Sequence, residues 1–180
     1  MTSFPKILVA SPTARSKAYV FKRWLDCAMS FTYPNYDIRL FDNTFGGAGF
    51  AKEMNNIFKE KYGENNTKFE AINSMDHNKI GHKSIKSTIE RMALSHNDCR
   101  LYALNNGYSH LLHLESDVLP EPNVIEDLLF ADKLVVGALY DRDAGKSRRL
   151  MVQTQMKISP KHIMGENFEA GEDKYFVDGS

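Results

Sequence analysis

The chain has 180 residues, 42% of them hydrophobic and 26% charged, and its 23 Lys and Arg balance its 23 Asp and Glu to a formal net charge of zero. This is the composition of an ordinary globular domain, able to bury about 70% of its unfolded surface, and the zero balance argues against bulk nucleic-acid binding, which draws on a basic excess. No run approaches the roughly 18 to 20 consecutive apolar residues of a membrane span, the amino terminus lacks a secretory pattern, and Cys27 and Cys99 alone build neither a disulfide framework nor a zinc site, so a cytoplasmic protein is expected.

A short apolar run at 6–10 stops at Ser11 and Pro12, too short for a helix and suited to a buried strand. Over 17–31, Tyr19, Val20, Trp24, Leu25 and Ala28 recur three or four apart, which predicts a helix with one apolar face. Tyr36, Ile38 and Leu40 alternate with Asp37 and Arg39 ahead of Asp42, the period of a half-buried strand. Gly46, Gly47 and Gly49 lack the spacing of a dinucleotide fingerprint and read as a flexible connection. A polar helix over 50–61 and a third strand over 68–72 follow. A longer helix is expected over 84–106, breakable at Asn97 and Asp98 and ended by Gly107 as a left-handed cap. Residues 110–114 predict a short strand, Pro120 and Pro122 lead into a helix over 123–131, and 134–139 predict another buried strand. Strands alternating with helices indicate one α/β sandwich over 1–180 with a largely parallel sheet.

In such sheets ligands bind beyond the carboxyl ends of the strands, and three polar strand ends qualify: 11–14, Asp42 with Asn43, and Glu115-Ser116-Asp117. Two carboxylates flanking one residue can approach a hard divalent cation that keeps water and substrate phosphates as its other ligands, which suits Mg²⁺ or Mn²⁺ with a diphosphate. The competing reading is a polar turn in which Asp117 bonds local backbone. Gly145-Lys146-Ser147 is not a P-loop, because Tyr140 stands where the first glycine is required, and with Arg148 and Arg149 it reads as a mobile basic loop. His110 and His113 lie three apart on a strand and so face opposite sides, while His77, His82 and His96 have no ligand spacing with the cysteines.

The string GYSHLLHLESDVLPEPNVIEDLL, from Gly107 to Leu129, resembles the metal-binding segment of GT-A-type glycosyltransferases, in which an Asp-x-Asp triplet follows an apolar strand and precedes a proline-containing turn and helix. KILVASPT resembles that family's first nucleotide-binding strand, LFDNT its second, and ERMALSHNDCRLYALNNGY the helix before the triplet; the ordered match covers most of 5–140. The resemblance implies a GT-A-like three-layer α/β sandwich with a mostly parallel central sheet. Residues 5–140 would bind a nucleotide-diphosphate sugar and 141–180 would begin the acceptor side. It implies Ser11, Thr13, Asp42, Asn43 and Ser116 as donor contacts, with Glu115 and Asp117 on Mn²⁺ or Mg²⁺. Glu115 stands where the family commonly has Asp, which keeps the charge and lengthens the reach by one methylene. The family's Ala-Arg-Asn signature is met only loosely by Ser95-His96-Asn97, so its basic role passes to Arg91 or Arg100.

The activity this implies is metal-assisted transfer of a sugar to an acceptor that the residues do not identify. A sugar-phosphate nucleotidyltransferase would carry a glycine-rich basic signature after its first strand, which SPTARSK lacks; a noncatalytic nucleotide-binding or interaction domain is the alternative from another class. Inverting transfer needs a general base, and Glu169, Glu172, Asp173 and Asp178 lie in the right region of the chain, each equally readable as a surface acid. The ending at Phe176-Val177-Asp178-Gly179-Ser180 resembles the start of the family's acceptor-side region, so a carboxyl-terminally truncated transferase is expected.

Overall fold

The computed structural model describes residues 4–44, 49–74, 88–143 and 148–157, with side chains described as far as residue 137 except at 88–91. The strands are β1 (Ile7–Thr13), β2 (Tyr36–Asp42), β3 (Phe69–Asn73), β4 (His110–His113), β5 (Val135–Asp143) and β6 (Arg148–Lys157). The helices are α1 (Ala18–Met29), led by a 3-10 turn at Arg15–Lys17, then α2 (Gly49–Tyr62), α3 (Thr88–Asn105) and α4 (Val124–Phe130). The sheet has six strands in the order β3-β2-β1-β4-β6-β5. β3, β2, β1 and β4 run parallel, and β6 pairs antiparallel with both β4 and β5.

The two-residue period of the strands sorts their side chains into two cores. Ile7, Val9, Ile38, Leu40 and Leu112 pack with Trp24 and Leu25 of α1, Phe50, Met54 and Phe58 of α2, and Ile125 of α4. On the other face Leu8, Ala10, Phe41 and Leu111 pack with Cys99 and Ala103 of α3. The result is the expected three-layer sandwich, with each large buried apolar side chain contributing about 1.5–3 kcal/mol. No helix among the described residues is long and apolar enough to cross a membrane.

Several elements differ from the sequence expectation for identifiable reasons. β1 continues through Pro12 to Thr13. Thr13 turns its carbonyl to β2, where Asn43 N–H donates at 2.8 Å, whereas Ala10 turns to β4 and accepts from Leu114 at 3.1 Å. By alternation Pro12 faces the β4 side beyond the last paired residue, Ala10, so its missing N–H breaks no ladder bond. β2 is covered on both faces, because α3 lies over Arg39 and Phe41; the Arg39 guanidinium donates to Tyr102 Oη at 3.1 Å and to the Ile38 carbonyl at 2.7 Å. α2 is not polar throughout but buries Phe50, Ala51, Met54 and Phe58. α3 runs unbroken through Asn97 and Asp98, since the Asp98 carboxylate takes the Ser74 hydroxyl instead of competing for helix backbone.

The sheet's far edge also departs from the expectation. β5 begins exposed, with Leu134 and Val135 at 57% and 49%, and it pairs only with the unexpected β6. Arg148 and Arg149 therefore belong to a strand, opposite Asp143 and Arg142, and not to a basic loop. Gly46, Gly47, Gly145, Lys146, Ser147, His77, His82 and the candidate bases Glu169, Glu172, Asp173 and Asp178 lie outside the described residues.

Candidate functional site

The strand order turns at β1: β2 and β3 follow on one side, while β4 takes the other. The connections leaving β1 and β4 both pass to the face covered by α1, α2 and α4, and the carboxyl ends of the strands at such a reversal are where an open α/β sheet receives its ligand. The last rung between the two strands is the Leu114 N–H on the Ala10 carbonyl at 3.1 Å. Beyond it, the Lys17 ammonium on the 3-10 turn after β1 forms an ion pair with the Asp117 carboxylate in the loop after β4.

That loop is fastened to α1 and to the segment just after it. Trp24 Nε1 donates to the Glu115 carbonyl at 3.0 Å, Cys27 Sγ to the Pro120 carbonyl at 3.0 Å, and the Thr32 N–H to the Pro122 carbonyl at 2.9 Å. Ser116 is buried, while Glu115 and Asp117 are half-buried. The Glu115 charge acts towards α3: burial pushes the Cys99 thiol far up, and the charges of Asp98 and Glu115 push it further. Asp117 thus lies towards the turn that leads into α1, and Glu115 close enough to α3 for its charge to reach Cys99. Among the described residues no three His, Cys, Asp or Glu side chains gather into a metal cage. A pair of carboxylate oxygens fits a hard cation whose other positions go to water and a diphosphate.

Thr13 and Asp42 are register partners at the ends of β1 and β2. Asp42 is buried and its carboxylate is taken up by protein: one oxygen accepts from the Thr44 N–H at 3.0 Å and the Thr44 hydroxyl, the other from the Ala51 N–H at 2.9 Å. It thereby satisfies an orphan donor at the amino end of α2, as a remote cap. Buried Ser11 donates its hydroxyl to the Pro12 carbonyl at 2.9 Å. Asn43 Nδ2 donates to Ser95 Oγ at 3.3 Å, and Ser95 joins Ser74 at 3.2 Å, which in turn donates to Asp98 at 2.5 Å. This chain of side chains ties α3 to the carboxyl ends of β2 and β3. Ser74 and Lys17 escaped the sequence reading, and Ser95 entered it only within a loose signature, because their partners are far away in the chain.

Arg100 is exposed and donates to Asn97 Oδ1 at 2.8 and 3.1 Å along its own helix. Arg91 falls in the first turn of α3, at the carboxyl end of the sheet, and its side chain lies outside the described residues. His113 meets His96 of α3, with Nδ1 atoms 3.4 Å apart. Burial, aided by His96, pushes the His113 imidazole down to about 4, so it is neutral at neutral pH. His110 faces the opposite side, lining a groove with Phe4, Tyr33 and Phe130.

No family model and no curated protein matches the sequence. Among solved structures, the chain is similar to a mannosyltransferase from Pyrobaculum calidifontis in complex with GDP-Man and Mn²⁺, at 14% identity and a TM-score of 0.52, over 78% of this chain and 37% of that one. The fold is glycosyltransferase-like. Identity this low carries the fold alone, and this chain spans little more than a third of that protein's length. The sandwich agrees with the expected fold class, and the Lys17–Asp117 pair brings the Glu115–Asp117 loop to the connection after β1.

Proposed function

We propose that this chain forms the donor-binding half of a glycosyltransferase that takes a nucleotide-diphosphate sugar with the help of Mn²⁺ or Mg²⁺. The observation that carries the reading is the Lys17–Asp117 pair, which joins the ends of β1 and β4 across the reversal of the sheet. Glu115 and Asp117 would hold the cation, whose chemistry is to neutralise charge developing on a diphosphate leaving group. Ser116 and Lys17 stand at the diphosphate. Ser11, Thr13, Asp42 and Asn43 form the floor under the nucleoside, with Asp42 acting through the Thr44 and Ala51 backbone that it positions. Arg91, in the first turn of α3, is the better placed of the two arginines for a phosphate, since Arg100 is engaged with Asn97. The acceptor and the general base are assigned to no described residue.

Ligand-dependent melting tests this. GDP-Man or a uridine diphosphate sugar with Mn²⁺ should raise the midpoint, and a ligand at 100 times its dissociation constant adds about 2.7 kcal/mol. The rise should vanish without metal or in Asp117→Ala. Absence of any response to sugar nucleotides with metal would refute the reading, and hydrolysis of the donor separates turnover from a noncatalytic nucleotide-binding domain.

A further inference from the structure

Asp117, the acid of the Glu115–Asp117 loop that meets the turn after β1, already carries a cation of the protein's own. Lys17 reaches it from one hundred residues away, and both side chains keep access to water, at 38% and 31% exposure. The other basic group on this connection is committed elsewhere: the Arg15 guanidinium pairs with Glu53 at 2.9 Å and lies over the Phe50 ring at 5.2 Å. A lysine ammonium is a compact point charge on a flexible stem, so it can exchange one anionic partner for another where a guanidinium fork would be held. A pair this exposed is weak enough to be displaced by a divalent ion.

The charge balance gives the pair a direction. Lys17 with Glu115 and Asp117 leaves the site one negative charge, and a divalent ion turns this to one positive charge. Without Lys17 the empty site would attract the metal more strongly, and the loaded site would be neutral and hold a diphosphate less well. We propose that Lys17 is an exchangeable cation that occupies Asp117 until metal arrives and then turns to the phosphate oxygens of the donor. It would thereby lower the affinity for metal alone and raise the affinity for the nucleotide once metal is present. This rests on the donor-site reading above.

The test titrates Mn²⁺ alone, then GDP and UDP at saturating Mn²⁺, into the parent chain, Lys17→Met, Lys17→Arg and Asp117→Ala, each first checked for an unchanged melting curve. Lys17→Met should bind Mn²⁺ about 3- to 10-fold more tightly and the nucleoside diphosphate about 3- to 10-fold more weakly. Lys17→Arg, whose fork is held on Asp117, should bind Mn²⁺ no more tightly than the parent and the nucleoside diphosphate about 3-fold more weakly. Opposite movements in one variant are not what a merely structural lysine produces. If the parent binds nucleotide through Mn²⁺ and Asp117→Ala abolishes it, but Lys17→Met matches the parent or moves both affinities the same way, the inference falls and the donor-site reading stands. If the parent shows no Mn²⁺-dependent nucleotide binding, both fall.

Discussion

The Trp24 indole N–H, on α1, donates at 3.0 Å to the main-chain carbonyl of Glu115, so the only tryptophan of the chain fixes the loop that presents the two acids. Its ring is almost fully buried in the core under α1, α2 and α4, so the bond has little competition from water. Trp24→Phe retains much of the packing and deletes the donor. It should cost about 2 kcal/mol, from the lost ring volume and the lost hydrogen bond together, the Glu115 carbonyl keeping only the Val118 N–H at 3.0 Å. Chemical denaturation measures the stability term. Mn²⁺ titration of the still-folded variant should show weaker binding, and unchanged metal affinity would mean that Pro120 and Pro122 hold the loop without help from Trp24.

Asp42 should prove structural first and a nucleotide contact only through what it positions. Its carboxylate accepts from Thr44 twice and from Ala51. Asp42→Ala leaves those buried donors unpaired and should destabilise the fold by about 2 kcal/mol, while Asp42→Asn, which keeps one acceptor, should lose less. Amide exchange localises the effect: the Ala51 and Thr44 N–H groups should lose protection first. Nucleoside affinity should fall in parallel at every metal concentration. A variant that kept full stability yet lost nucleotide binding would instead make Asp42 a direct contact.

What could be read from the chain and what could not divides along the range of the cause. The helix of 18–29 announces itself through Trp24, Leu25 and Ala28, whose spacing depends on local geometry alone, and the short run ending at Leu114 is too apolar and too brief for anything but a strand. The extension of β1 through Pro12 was invisible, because it depends on β4 stopping opposite Ala10. Arg39 looked like the wet side of a half-buried strand, yet Tyr102, sixty-three residues on, covers it. The acids at 115 and 117 were legible as a pair on a strand end. Their tether to α1 and the Lys17 partner were not, since no spacing rule connects residues 91 or 100 positions apart.

Alkaline pH should weaken the fold through Tyr36. Its hydroxyl donates to the Ala28 carbonyl at 2.9 Å, and burial of the ring pushes its ionisation up to about 12. An acid whose folded value lies above its unfolded value, near 10, contributes nothing unfavourable below that value; as pH rises from 10 towards 12, the unfolded state gives up its proton first and stability falls. The loss from Tyr36 should reach about 1 kcal/mol by pH 11. Tyr36→Phe should be less stable at pH 8, by about 1 kcal/mol for the lost hydrogen bond, but its stability should fall less steeply between pH 10 and 12. Tyr62, also raised to about 12, sustains part of the remaining slope. Parallel slopes for parent and variant in urea denaturation would show that the hydroxyl is solvated.

Gly107 ends α3 with φ +70°, and the N–H of the next residue, Tyr108, reaches back to the Ala103 carbonyl at 3.2 Å, the closing bond of a Schellman cap. This cap also turns the chain into β4, whose far end carries the candidate acids. Nothing stands within 4 Å of where a Cβ would be, so the cost of a side chain here is conformational and not steric. Gly107→Ala imposes the left-handed penalty of about 1–2 kcal/mol, offset by about 0.4–1 kcal/mol because alanine restricts the unfolded chain. The net loss should be about 1 kcal/mol, a fall of about 2–4 °C in the melting midpoint for a chain of this size. Gly107→Asn should recover much of it, since asparagine tolerates this conformation. Because the change acts on the cap and not on the site, metal and nucleotide affinities should stay at parental values at 25 °C. An alanine variant as stable as the parent would mean that the helix can end in another conformation, and the handover from α3 to β4 would then rest on the Ser109 N–H and its bond to the Lys6 carbonyl at 2.9 Å.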